Sequence, residues 1–220
     1  MDHAFSNRLL CVSLFQGFSR LDFLDLVEKV PLDFRTLKAD KHIVKQGEEC
    51  HALCILLKGE VTAEASSPDH TYRYREQLTA PWVVQPECLF GLHNRYTHTF
   101  RALTETQTVW LTKAIVLDLL THYPAFQINF YNTLSTFAQN TKQQLWQIRR
   151  TTEEERFRAF LQRRSLRPAG KKTLHIRMED LAVELGVTRL RVSQMLARLA
   201  SQGKLTTSRG VIEIPALETL

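Results

Sequence analysis

The chain has 220 residues and a mass of 25.5 kDa, with 44% apolar and 24% charged side chains. That is the length of one large or two small domains, with enough apolar surface for a packed core, so wholesale disorder is excluded. The net charge is +6, and it is unevenly placed: residues 1–149 carry 15 basic and 15 acidic groups, residues 150–220 carry 14 and 8. A neutral body joined to a basic head points to a polyanionic partner. No run reaches the ~20 apolar residues of a membrane span, and MDHAFSNRLL lacks the basic-then-apolar pattern of a leader. Cysteines at 11, 50, 54 and 88 are too few and scattered for a disulfide scaffold, so a reduced, cytoplasmic protein is expected.

In chain order, residues 1–28 read as short helices, with Leu21, Leu24 and Val27 near helical spacing. From 32 to 112 the period changes. The runs HIVKQGEEC, ALCILLKGEVTAEA, TYRYREQL, PWVVQ, CLFGL, THTFRALT and QTVWLT, punctuated by Gly47, Gly59 and Gly91, predict short strands of an antiparallel β-roll of jelly-roll type. Pro68-Asp69 marks a hairpin turn. Cys50, His51 and Cys54 have metal-ligand chemistry, but four residues along a strand span ~13 Å, so no metal is expected there.

Helix returns near Thr112 or Lys113, and Pro124 opens a second helix at its first turn. No Gly or Pro interrupts Ala125 to about Arg149. Phe130, Leu134, Phe137, Thr141, Gln144 and Ile148 recur at heptad spacing. Such a helix packs on its own domain or on a second copy. The two polar positions favour a parallel homodimer seam, where they fix register. Thr152 and Glu155 form a capping box that opens the next helix, so a boundary is expected near Arg149–Thr151. This separates a 1–149 sensor-like domain, including the 125–149 helix, from a 150–220 head.

Residues 178–199, MEDLAVELGVTRLRVSQMLARL, fit a helix-turn-helix. Ala182 sits where the helices touch and Gly186 at the turn. Leu181, Leu185, Val187, Val192 and Met195 fill the inward places. Gly186 tolerates the left-handed conformation that ends a helix, and Thr188 caps the next one. The outward face of the second helix carries Thr188, Arg189, Leu190, Ser193, Gln194 and Ala197, and the N-terminal part of such a helix enters the DNA major groove. Arg189 suits guanine or phosphate, Gln194 adenine, and Ser193 either. Arg191 and Arg198 point sideways toward phosphates. KLTTSRGVIEI adds two strands as a β-wing with Arg209 at its tip, a further phosphate contact. The expected class is therefore α+β: a β-roll, a long helix and a winged helix-turn-helix.

This order of parts resembles the bacterial Crp/Fnr family of transcription regulators over nearly the whole chain. The resemblance is strongest at Ile43–Glu48 with Leu57–Val61, at Glu154–Phe157, and in the helix-turn-helix. It implies a cytoplasmic homodimer on double-stranded DNA, with RNA polymerase as a further partner if the protein activates. It also implies a sensor pocket, which departs from the cyclic-nucleotide pattern of Phe-Gly-Glu followed about ten residues on by Arg-Ser-Ala. Here Phe90-Gly91 is followed by Leu92, and Tyr96-Thr97 stand where Arg-Ser belongs. Thr141 falls where the family's long helix touches the purine, with Lys142 as its neighbour. Tyr96 brings no cation to a phosphate and Leu92 no acceptor to a ribose, so cyclic AMP is not expected to bind. The alternative is a live sensor of the same fold, for a cyclic nucleotide or an unrelated effector. The iron–sulfur branch needs clustered N-terminal cysteines, and only Cys11 lies there. Leu190 and Gln194 replace the Glu and Arg of the best-known base-reading helices, so the operator should differ. No nucleophile–base set or phosphate loop points to an enzyme, and no cofactor is expected.

Overall fold

Short strands, some of them with alternating inward and outward side chains as in Tyr72–Thr79, run from Asp33 to Thr112. A computed structural model describes residues 8–145 and 152–220. The expected seam residue Ile148 and the expected boundary near 149–151 lie outside the described residues. The chain forms two units, residues 1–61 with 78–140, and residues 62–77 with 141–220.

The first unit contains β1 (Asp33–Leu37), β2 (His42–Val44), β3 (Ala52–Lys58), the start of β4 (Glu60–Ser66), the end of β5 (Tyr72–Thr79), β6 (Trp82–Val84), β7 (Thr99–Ala102) and β8 (Thr106–Thr112). One sheet runs β1-β8-β3-β6, all antiparallel, and β2 pairs antiparallel with β7. β3 lies inside its sheet, which is why Leu53–Leu57 are all buried and read as a continuous apolar run. Gly59 turns β3 into β4 at φ +102°; a Cβ there would sit 2.7 Å from the Glu105 carbonyl oxygen, so only glycine fits. The run CLFGL, expected as a strand, is not one. Pro86 lacks a ladder donor and Gln85 is left-handed, so the chain makes a 3-10 turn, Pro86–Cys88, instead.

Among the described residues, three longer helices add to this unit. Ser19 and Asp22 close a capping box on α1 (Arg20–Lys29). Thr112 caps α2 (Lys113–His122), its hydroxyl accepting from Ile115 N at 3.3 Å. Pro124 opens α3 (Pro124–Leu145), as expected. α1 buries Phe23 and Leu26, whereas Leu21 and Leu24 are exposed, so its inward face lies one to two positions from the expected one. Phe15, Phe126, Phe130 and Phe90 make a chain of ring contacts 5.4–6.3 Å between centroids. Phe130 is therefore core of the single chain, already buried without a second copy.

The second unit holds α4 (Glu153–Arg164), β9 (Lys172–Ile176), α5 (Met178–Leu185), α6 (Arg189–Ser201), β10 (Thr206–Ser208) and β11 (Val211–Ile214). Its sheet runs β10-β11-β9-β5-β4, because residues 62–77, which hold most of β4 and β5, belong to this unit. Phe157, Leu161, Leu181, Val192, Met195 and Leu199 centre its core. Glu76 on β5 faces Lys172 on β9, Nζ to Oε2 2.6 Å, with both side chains fully buried. The carboxylate also accepts from the backbone N–H groups of Leu166 (2.7 Å) and Arg167 (3.2 Å).

Candidate nucleic-acid interface and effector pocket

The helix-turn-helix is assembled by local chemistry. α5 ends at Gly186, φ 64° and ψ 41°, whose N–H bonds back to Ala182 and Val183. Thr188 caps α6, accepting from Arg191 N. Arg156 on α4 holds the turn, donating to the carbonyls of Leu185 and Gly186 at 3.2 Å each. Leu181, Leu185, Val192 and Met195 are buried, and Val187 packs against them.

That packing turns one face of α6 outward. Leu190, Ser193, Gln194 and Ala197, at i, i+3, i+4 and i+7, are all exposed. The Ser193 and Gln194 side chains hydrogen-bond to no other described residue, so they are free to meet a ligand. Thr188 and Arg189 are exposed at the helix start, and Arg209 at the tip of the β10–β11 wing.

The sequence did not reveal how the arginines are held. Arg189 pairs with Glu179 (3.2 Å), Arg191 with Glu153 (3.0 Å) and Arg198 with Glu154 (2.7 Å). All three pairs are exposed, so each contributes little to stability. Their carboxylates do, however, compete with any phosphate for the same guanidinium. The acidic start of α4 thus does two things: Glu155 closes the capping box with Thr152, while Glu153 and Glu154 hold arginines of α6.

In the first unit the expected pocket residues differ in burial. Phe90 turns to Phe130, Gly91 is exposed, and Leu92 is 96% exposed. Leu92 therefore faces solvent. Tyr96 is buried, its hydroxyl donating to Ala52 O at 3.2 Å. Thr97 is exposed at the rim of a polar cluster that sequence reading missed. Its hub is Gln85, buried and left-handed at φ 39°, a conformation unusual for a non-glycine residue. The Gln85 Oε1 accepts from the N–H groups of Thr97 (3.0 Å) and His98 (3.2 Å), and its Nε2 donates to the Thr97 hydroxyl. Glu87 Oε2 and His98 Nε2 are buried there without a hydrogen-bond partner. Burial raises the Glu87 carboxyl above its usual range and lowers His98 to about 4. Thr141 and Lys142 are exposed on the part of α3 that belongs to the second unit, and Gln144 lies in α3 beyond the described side chains. Among the described residues no cluster of three His, Cys, Asp or Glu side chains could hold a metal ion, and no helix is long and apolar enough to cross a membrane.

Comparison with known proteins agrees with both halves. The cyclic nucleotide-binding domain model matches residues 34–123, and the Crp-like helix-turn-helix domain model matches residues 155–220. Among solved structures, the catabolite activator protein of Thermus thermophilus is 22% identical at TM-score 0.55, covering 92% of this chain and 93% of that one. The sensor domain of the transcriptional regulator DNR from Pseudomonas aeruginosa is 18% identical at TM-score 0.52, over 68% of this chain and 97% of that one. At these identities the likeness is one of fold. No curated protein matches the chain. A cyclic nucleotide-binding β-roll followed by a Crp-like helix-turn-helix is the make-up of the Crp/Fnr transcription regulators, and the chain belongs to that DNA-binding family.

Proposed function

We propose that the protein is a homodimeric, sequence-specific DNA-binding regulator whose β-roll takes no cyclic AMP. The observation that carries the DNA reading is the outward face of α6, where Leu190, Ser193 and Gln194 stand exposed between arginines. Gln194 pairs with adenine, Ser193 tunes the adjacent base, and Arg189, Arg191, Arg198 and Arg209 supply phosphate contacts. A regulator rather than an enzyme, acting in the cytoplasm on double-stranded DNA and, as an activator, on RNA polymerase, fits this arrangement.

Dimerisation runs along α3. Phe130 faces inward, so two seam positions move by one residue, to Tyr131 (50% exposed) and Ala138, beside Leu134 and Thr141, at spacings of 3, 4 and 3. Phe137 lies half-buried beside it.

Loss of the cyclic-nucleotide site is supported by the Gln85 cluster. Counting back the family's ten residues from Tyr96 reaches Pro86, beside Gln85, and not Leu92. Two N–H groups that would face an anion there already bond the Gln85 amide oxygen, and Tyr96 is turned into the core. A phosphate would have to displace an internal acceptor, and Tyr96 stands in place of the family's arginine. A second reading, a sensor for an uncharged polar effector, is favoured by the unpartnered Glu87 Oε2 and His98 Nε2 atoms.

The test is a gel-shift titration on DNA enriched from a random pool, with and without millimolar cyclic AMP. Gln194→Ala should lose ~1–3 kcal/mol of preference for the enriched sequence over a scrambled one. Arg209→Ala should weaken both alike and shallow the salt slope by about one unit. Cyclic AMP should change neither curve. Unchanged selectivity in Gln194→Ala refutes the placement of α6, and binding that appears only with cyclic AMP refutes the closed pocket.

A further inference from the structure

Resting on the DNA reading of α6, we infer that Leu190 reads the 5-methyl group of a thymine in each half-site. The residue is 67% exposed in the first turn of α6, on the same stripe as Ser193 and Gln194. A large apolar side chain there gains nothing from the single chain, because it packs on none of the second unit's core. Its flanking neighbours are both occupied: Arg189 is held by Glu179 at 3.2 Å and Arg191 by Glu153 at 3.0 Å. Leu190 is thus the apolar group at the leading edge of the helix that enters the groove.

The major-groove edges offer a donor on cytosine, acceptors on guanine, both on adenine, and an acceptor plus a methyl group on thymine. A leucine satisfies none of the polar atoms, and each polar edge pressed against it loses water without replacement. The thymine methyl is the one apolar surface that it can cover. Gln194, one turn on along the same stripe, then reads a neighbouring base through its amide, so apolar and polar readout divide between adjacent positions.

The probe is a thymine that lacks only this methyl group. Starting from a sequence enriched by the wild type, each thymine of the half-site is replaced in turn by deoxyuridine, which keeps the Watson–Crick pairing and the O4 acceptor. One position per half-site should lose about fourfold in affinity, the fold-change equivalent of one buried methyl at roughly 0.8 kcal/mol, and substitution in both half-sites on the order of fifteenfold. Leu190→Ala, exposed and therefore neutral to folding, should bind more weakly and no longer distinguish thymine from deoxyuridine at that position. If no deoxyuridine weakens the wild type, or if Leu190→Ala keeps the same discrimination, the inference is overturned while the DNA reading stands. If no sequence is enriched at all, the DNA reading falls and takes this inference with it.

Discussion

Replacing Lys172 by methionine should destabilise the second unit far more than its single ion pair implies. The pair is fully buried, with Nζ 2.6 Å from Glu76 Oε2 and a second bond to Arg167 O at 2.9 Å. Removing one partner leaves an uncompensated buried charge, which costs ~3–5 kcal/mol. Glu76→Leu leaves the lysine ammonium in the same position and also strips the acceptor from Leu166 N and Arg167 N, at ~1–3 kcal/mol for each buried donor left unpaired. The double variant has no buried charge; it leaves those two donors and the Arg167 carbonyl unpaired, so its cost should fall well below the sum of the single variants, each of which also strands a buried charge. Urea unfolding followed by far-ultraviolet circular dichroism, with hydrogen exchange of the β5 and β9 amides, measures all three. Single variants costing under ~1 kcal/mol, or a double variant equal to their sum, would refute the reasoning.

Three further outcomes follow from the same geometry. Glu153→Gln with Glu154→Gln should tighten DNA binding several-fold, because Arg191 and Arg198 then face phosphates without a competing carboxylate; an exposed pair is worth ~0–1 kcal/mol, and unchanged or weaker binding contradicts the competition. Burial holds His98 to about 4 while an unfolded histidine titrates near ~6.5, so the unfolded chain binds more protons between these values and stability falls as pH drops through that window. Glu87, raised by burial, pulls the other way in wild type and variant alike. Compared with His98→Asn, the wild type should therefore lose about 2 kcal/mol more between pH 7 and pH 5 in thermal melts, and parallel pH curves would contradict it. Tyr131→Glu sets like charges across the proposed two-fold at a position half-exposed in the single chain. Light scattering should show that variant near 25.5 kDa and the wild type at twice that mass; a wild type monomeric at micromolar concentration contradicts the seam.

What could be read from the sequence was whatever is local. Gly186, Thr188 and the inward positions of the helix-turn-helix lie within one turn of each other, and the Thr152–Glu155 capping box spans three residues, so each was legible from spacing. β1 was not: its side chains show no clean inward face, because Phe34 and Leu37 are only half-buried. The heptad reading of α3 included Phe130 because spacing alone does not tell a seam from a core face, and the aromatic neighbours that bury it come from Phe90 and Phe126. The same holds for Glu76 with Lys172, 96 residues apart, and for Glu153 and Glu154 with arginines 38 and 44 residues on. The Gln85 cluster escaped notice because a buried glutamine at a left-handed position has no sequence signature.

In the proposed function, α6 of a two-fold dimer reads DNA without a cyclic nucleotide. Selection of bound duplexes from a random pool by the purified full chain, with no nucleotide added, tests it most directly. The expected result is an enriched inverted repeat with half-site centres about one helical turn apart, roughly 34 Å, and a thymine within each half-site. A pool that stays unenriched, or that enriches only when cyclic AMP is supplied, would contradict it.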